Sequence, residues 1–81
     1  MLEPQQIEAW ITAGMPCQFA HVEGDGQHFE AVVVSAEFVG LNRVKRQQRV
    51  FDTVREHLAS GTLHALSMKT LTPEEWEASR G

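Results

Sequence analysis

The stretch Gly61-Thr-Leu-His-Ala-Leu-Ser-Met-Lys-Thr-Leu-Thr-Pro-Glu-Glu-Trp76 combines a loop, a short strand and the start of a helix. Its alternating apolar residues predict a strand over residues 62–70. On that strand His64 is in phase with Leu66 and Met68, so we expect it on their apolar face. Such a histidine is either a hydrogen-bonded core residue or a metal ligand that lacks its partners.

Two helices flank this strand in the sequence. After it, Thr72-Pro-Glu-Glu75 forms a capping box with proline at the first helical position, and the helix that it starts carries Trp76. Before it, Asn42 is the expected cap of a long helix that ends near residue 59. One arc of that helix is apolar and holds Val44, Val50, Phe51, Val54 and Leu58. Gln47 falls on the same arc, where we expect it to be buried and hydrogen-bonded to the backbone.

The first half of the chain predicts a helix and a hairpin. Pro4 and Gly14 bound a short amphipathic helix. Gly24-Asp-Gly26 is a strong turn signal between a strand over residues 17–23 and a strand over residues 28–35. A short turn over residues 35–40 then leads to the long helix.

The predicted order is therefore helix, strand, strand, turn, helix, strand, helix. The tight hairpin makes the first two strands antiparallel, whereas the third strand returns through the long helix and should lie parallel to one of them. We expect an α+β, two-layer sandwich in which the helices cover one face of a three-stranded mixed sheet.

Length and composition indicate one small domain over residues 1–81, with 42% hydrophobic residues. No apolar run is long enough to span a bilayer, and the first residues lack the features of a signal peptide. Cys17 is the single cysteine, so no disulfide framework within the chain is expected. These features predict a cytoplasmic protein with no membrane contact.

The charges give a mixed indication about nucleic acids. A formal net charge of −4 disfavours a general nucleic-acid binder. Four basic residues nevertheless cluster near the start of the long helix: Arg43, Lys45, Arg46 and Arg49. Such a cluster is a solvated helix face, a docking surface for an acidic partner or a nucleic-acid contact.

Two other functional classes lack support. No paired carboxylates, no nucleophile with a spaced base and no glycine-rich phosphate loop are present, so we do not expect an enzyme. The four histidines and the single cysteine do not have the spacing of a zinc site.

Several segments together resemble the BolA family. They are Gly24-Asp-Gly-Gln-His-Phe29, Val33-Val-Ser35, Phe38-Val-Gly40, Arg43-Val-Lys-Arg-Gln-Gln-Arg-Val-Phe51, His64-Ala-Leu-Ser67 and Lys69-Thr-Leu-Thr-Pro-Glu-Glu-Trp76. Their order and spacing cover nearly the whole chain beyond the first helix. The pair Gln47-Gln48 resembles the Gln-Gln pair that the IbaG branch of the family carries at this position.

The resemblance implies a fold like that of the class II KH domain. It also implies partnership with a monothiol glutaredoxin, with a [2Fe–2S] cluster shared between the two proteins and glutathione, and no cofactor in the isolated, monomeric apo protein. His64 matches the family's cluster ligand, and an imidazole can replace a thiolate on iron. Because the chain has one cysteine, an iron–sulfur site would need thiolates from the partner.

The second ligand that the resemblance implies comes from the loop between the first two strands, as histidine or cysteine. Here that loop, residues 24–27, holds neither, and His28 follows it. His28 is therefore the second candidate ligand. Asp25 offers oxygen, which suits ferric–sulfide chemistry poorly.

The alternative function is a KH-like nucleic-acid-binding regulator of stress response or morphology that uses Arg43, Lys45, Arg46 and Arg49. KH domains grip nucleic acid with a Gly-X-X-Gly loop, whereas the corresponding segment here, Phe38-Val-Gly-Leu-Asn42, has one glycine. No aromatic residues alternate with the basic ones to stack on bases. A protein-interaction domain without any metal is a third possibility.

Overall fold

The computed structural model describes residues 1–80. Its elements follow the predicted order: α1 Pro4–Gly14, β1 Phe19–Gly24, β2 His28–Val34, a 3-10 turn Ala36–Phe38, α2 Arg43–Ala59, β3 Ala65–Leu71 and α3 Pro73–Arg80. Within residues 1–80, no helix combines the length and the apolar character that crossing a membrane requires.

The three strands form one mixed sheet, as predicted, and their order is β1-β2-β3. β1 pairs antiparallel with β2, from Phe19 opposite Val34 to Gly24 opposite Phe29. β2 pairs parallel with β3, from His28 opposite Ala65 to Val34 opposite Leu71. The crossover through α2 therefore places the beginnings of β2 and β3 at the same end of the sheet.

The core lies between one face of this sheet and the helices α1 and α2. Its fully buried side chains come from α1, β1, β2, the 3-10 turn, α2 and the approach to β3, and they include Ile7, Ile11, Val22, Phe29, Val33, Phe38, Val50, Val54 and Leu63. Gly14 permits the close approach of the two helices, because a Cβ at this position would lie 2.8 Å from a methyl group of Thr53.

α3 departs from the prediction that all helices cover one face. Phe19 lies on the face of β1 opposite Val22, because side chains alternate along a strand, and Trp76 of α3 stacks on Phe19 with 4.9 Å between ring centroids. Val34 pairs with Phe19 and is fully buried, although it lies outside the main core cluster. α3 thus covers one end of the second face.

The predicted caps of α2 and α3 are confirmed. The Asn42 side chain accepts a hydrogen bond from the Lys45 N–H at 2.9 Å. The Thr72 hydroxyl accepts one from the Glu75 N–H, and the Glu75 carboxylate accepts one from the Thr72 N–H. Both helices therefore begin where their sequence signals predict.

The predicted apolar arc of α2 is wrong at its edge. Val50 and Val54 are fully buried, whereas Val44 is 60% exposed. At 100° per residue, Val44 lies about 120° from Val50, at the far side of the arc. Arg46 lies only about 40° from Val50, and its side chain is 15% exposed. The buried side of α2 is therefore rotated toward Arg46.

Candidate functional site

The two predicted ligands, His28 and His64, are brought to the same end of the sheet. His28 is the first residue of β2, and its pairing partner on β3 is Ala65, the residue that follows His64. Neighbouring strands lie about 4.8 Å apart. Both histidine side chains are exposed to solvent.

The prediction that His64 shares the apolar face of β3 is wrong. The strand begins at Ala65, so His64 lies in the segment before it. Leu63 takes the buried position instead, at 1% exposure, and its N–H donates to the carbonyl of His57 at the end of α2. Because Leu63 is drawn into the core, the alternation that starts in β3 does not extend back to His64, which faces solvent.

The loop before His28 is organised by Asp25. Its carboxylate accepts hydrogen bonds from the N–H groups of Gln27 and His28, each at 2.9 Å. These two donors, His28 first, hold the pKa of the Asp25 carboxyl below its usual range. Gly26 makes the turn with a φ of +101°, which favours glycine. Asp25 therefore fixes the backbone of His28 and is a positioning residue.

Asp25 was predicted as part of the hairpin turn and as a poor ligand, whereas its role in fixing the backbone of His28 was not predicted. An aspartate two residues before a backbone N–H, followed directly by glycine, is nonetheless a known signal for such a turn. That signal was available in the sequence.

The four histidines divide into two pairs. His21 lies 3.7 Å from a carboxylate oxygen of Glu8 and 3.4 Å from one of Glu23. His57 stacks on Trp10 with ring centroids 3.4 Å apart. Among residues 1–80, the rings of His28 and His64 take part in no such contact or hydrogen bond. Their nitrogens are therefore open to an external ligand or metal.

The chain alone provides too few donors for a complete metal site. In the part of the chain that the structure describes, no three histidine, cysteine or acidic side chains form a group that could hold a metal ion. The imidazoles of His28 and His64 are of a ligand type that iron accepts. A metal bound by them would need its remaining ligands from another molecule.

Cys17 does not contribute to this end of the sheet. It precedes β1, whose first residue, Phe19, pairs with Val34 at the far end of β2. The seven residues of β2 span roughly 20 Å. Burial and the nearby Glu37 raise the pKa of the Cys17 thiol. Cys17 is half-buried.

The basic residues of α2 do not form one free surface. The Arg49 guanidinium bonds to the Glu37 carboxylate at 2.8 Å and to the Gly14 carbonyl at 3.3 Å. Arg46 donates to the Leu41 carbonyl at 2.8 Å and to the Glu75 carboxylate at 2.7 Å. Of the four predicted residues, Arg43 and Lys45 are the exposed ones.

Gln47 differs from its prediction as well. It is half-buried, and its side-chain amide makes no hydrogen bond within residues 1–80. It borders a groove between the beginning of α2 and the second half of β3.

Comparisons with known proteins agree on one family. The sequence model described as BolA-like protein matches residues 2–75. "Acid stress protein IbaG" of Escherichia coli K12 is 38% identical over 79 residues, which cover 98% of this chain and 94% of that protein. "DNA-binding transcriptional regulator BolA" of Haemophilus influenzae is 42% identical over 55 residues, which cover 68% of this chain and 52% of that protein.

Solved structures support the same fold. The structure of a BolA protein homologue from Coxiella burnetii superposes with a TM-score of 0.83 at 40% identity, and the match covers 95% of this chain and 99% of that one. The mixed sheet and the three helices described above are therefore an architecture that this homologue shares.

Proposed function

Because the chain belongs to the BolA-like protein family, we propose that it is a cytoplasmic adaptor that pairs with a monothiol glutaredoxin. In this proposal the pair, with glutathione, binds a bridging [2Fe–2S] cluster for iron–sulfur cluster assembly, trafficking or iron sensing. The names of its relatives, a stress protein and a regulator, support a role other than catalysis.

The observation that carries the proposal is the placement of His28 and His64. Both side chains are exposed, and within residues 1–80 their rings make no hydrogen bond, ion pair or stacking contact. His28 begins β2, and His64 directly precedes β3 at the same end of the sheet. A partner surface that approaches this end of the sheet meets two exposed imidazoles. His64 is the primary ligand in this proposal, and His28 is the second.

The shortage of other donors explains why a partner is required. A cluster of this type supplies electron-transfer and iron–sulfur transfer chemistry when bound, and it needs four ligands. The half-buried thiol of Cys17 lies toward the other end of the sheet. Thiolates must therefore come from the glutaredoxin and glutathione, while Asp25 holds the backbone of His28 in place.

Reconstitution of the mixed pair tests this proposal. The chain and a monothiol glutaredoxin are combined with iron, sulfide and glutathione, and visible absorption and circular dichroism are recorded. We expect a spectrum that differs from that of the glutaredoxin homodimer and changes with His64→Ala. His21→Ala is the matched control, since His21 already contacts carboxylates of the same chain. A spectrum identical to that of the homodimer, unchanged by His64→Ala, contradicts the proposal.

Nucleic-acid binding is the second candidate function, favoured by the relative named as a DNA-binding transcriptional regulator. In this chain the contact would fall to Arg43 and Lys45, because Arg46 and Arg49 hold internal partners. Binding to duplex or single-stranded DNA should then weaken steeply with salt and with the double change Arg43→Ala and Lys45→Ala. No binding at low salt would remove this candidate.

A further inference from the structure

The two outer edges of the sheet are protected to different extents. At the β1 edge, the Glu8 carboxylate of α1 accepts a hydrogen bond from the Val22 N–H at 3.0 Å. This contact occupies the middle of the strand, where a further strand would otherwise pair. Exposed edges are sites of strand addition unless they are covered in this way.

The β3 edge keeps unpaired backbone groups. The Leu71 carbonyl accepts from the Ser35 N–H and therefore points toward the β2 side. Because backbone groups alternate along a strand, those of Leu66, Met68 and Thr70 point outward. Arg46 donates to the Thr70 carbonyl at 3.4 Å. Within residues 1–80, the outward groups of Leu66 and Met68 have no such partner.

A groove of about 610 Å³ runs beside this edge, between β3 and the beginning of α2. Arg43, Arg46 and Lys69 line it with three positive charges, and Glu75 is the one acidic residue. The Glu75 carboxylate is paired with Arg46. The groove is therefore positive in a chain whose formal net charge is −4.

We propose that the β3 edge and this groove bind an extended acidic peptide segment of a partner protein as a fourth strand. The outward N–H and C=O groups of Leu66 and Met68 pair with the peptide backbone. Arg43 and Lys69 attract its carboxylates, and the free amide of Gln47 provides a further polar contact. A single-stranded nucleic acid fits less well, because no aromatic side chain lines the groove to stack on bases.

This surface goes beyond the proposed cluster site. His28 and His64 lie at the start of β2 and β3, whereas the groove borders β3 from Met68 to its end at Leu71. The two proposals rest on different side chains, His28 and His64 for the cluster and Arg43 and Lys69 for the peptide. Failure of one proposal leaves the other intact.

The test uses a fluorescent, eight-residue peptide of alternating valine and glutamate with blocked ends. We expect saturable binding by anisotropy and amide chemical-shift changes concentrated at Leu66, Met68 and Lys69. Two control peptides have the same length and alternating pattern. In the first, lysine replaces every glutamate. In the second, the backbone nitrogens that would donate hydrogen bonds to β3 are methylated. Both should bind much more weakly, because one reverses the charges and the other removes the ladder donors.

Two matched protein variants locate the contact. Arg43→Glu should weaken binding at least about fivefold, as expected when one partly exposed charge attraction becomes repulsion. Lys45→Glu reverses a charge two residues away on the same helix but outside the groove lining, and it should change binding little. Cluster spectra of the mixed pair should be unaffected by Arg43→Glu.

Any of three results overturns the proposal: no binding of the acidic peptide, equal binding of the methylated peptide, or shift changes that avoid β3. Preferential binding of a single-stranded oligonucleotide in the same groove, with equal sensitivity to Arg43→Glu and Lys45→Glu, would assign the surface to nucleic acid instead.

Discussion

His28 pairs with Ala65, and this register places His28 and His64 at the same end of the sheet, where β2 begins and the chain enters β3. The two histidines are separated by 35 intervening residues in the sequence, and the crossover through α2 brings them to one end of the sheet. Within residues 1–80, both rings are exposed and make no hydrogen bond, ion pair or stacking contact, and the proposed shared cluster site rests on this placement.

Removal of the Asp25 carboxylate should loosen the backbone at His28 without unfolding the chain. In Asp25→Ala the N–H groups of Gln27 and His28 lose their acceptor, so their hydrogen exchange should become several-fold faster. Asp25→Asn keeps an acceptor oxygen and should fall between wild type and Asp25→Ala. Amide exchange measured by NMR checks this prediction, and unchanged exchange at both amides in Asp25→Ala would contradict it.

Arg46 should be more important for stability than for binding. Its guanidinium donates hydrogen bonds to the Leu41 carbonyl, the Thr70 carbonyl and the Glu75 carboxylate. Arg46→Ala should lower the free energy of unfolding by about 1–3 kcal/mol, the range for lost charged hydrogen bonds. Arg46→Lys should recover part of this loss, because lysine keeps the charge but not the planar fork. Urea denaturation measures both.

The control for Arg46 is Arg43→Ala. Arg43 is exposed and should change the free energy of unfolding by no more than about 0.5 kcal/mol. Equal losses in Arg43→Ala and Arg46→Ala would show that the contacts of Arg46 do not stabilise the fold.

Glu75 should make stability depend on pH in the acid range. The Thr72 N–H and the Arg46 guanidinium lower the pKa of the Glu75 carboxyl in the folded chain below its ordinary value of 4.5. Its stabilising effect is therefore complete above that value and is lost as the pH falls through the folded pKa. Urea midpoints between neutral and acid pH should fall less steeply in Glu75→Gln than in wild type. An equal dependence of the urea midpoint on pH in Glu75→Gln and in wild type would contradict this prediction.

Gly24 should be required for the hairpin that presents His28. A Cβ at Gly24 would lie 2.5 Å from the His28 carbonyl oxygen and 2.9 Å from the Phe29 Cα. Gly24→Ala should therefore cost about 1–3 kcal/mol in the free energy of unfolding, as other overpacking changes do. Glu23→Ala, at the exposed neighbouring position, should change stability by about 0.5 kcal/mol or less. Thermal or urea denaturation compares the two, and equal stability would count against the close contact.

Much of the fold is predictable from local signals. Pro4, the Asn42 cap and the Thr72-Pro-Glu-Glu75 box each mark a helix start that the structure confirms. The Gly24-Asp-Gly26 turn predicts the antiparallel hairpin. These signals act within a few residues, so they depend little on the rest of the chain.

The wrong predictions depend on contacts between distant residues. The exposure of His64 follows from Leu63 entering the core and bonding to the carbonyl of His57. The position of α3 follows from the stacking of Trp76 on Phe19, which is 57 residues away in the sequence. Periodicity within one element cannot reveal either contact.

The basic cluster shows the same limit at the candidate surface. Arg43, Lys45, Arg46 and Arg49 cluster in the sequence, but Arg46 and Arg49 each pair with a different carboxylate, Glu75 and Glu37 respectively. Those carboxylates lie on other elements, and only the assembled fold identifies them as partners.

The most direct test of the account is whether a histidine nitrogen binds the bridging cluster. The mixed pair is reconstituted with this chain carrying histidine labelled with the heavy nitrogen isotope, the cluster is reduced, and pulsed electron paramagnetic resonance is recorded. If both histidines are ligands, a nitrogen hyperfine coupling should change with the label, weaken in His64→Ala, vanish in the double variant His28→Ala and His64→Ala, and persist in His21→Ala. A spectrum that is identical with and without the label, and unchanged in His64→Ala, would contradict the account.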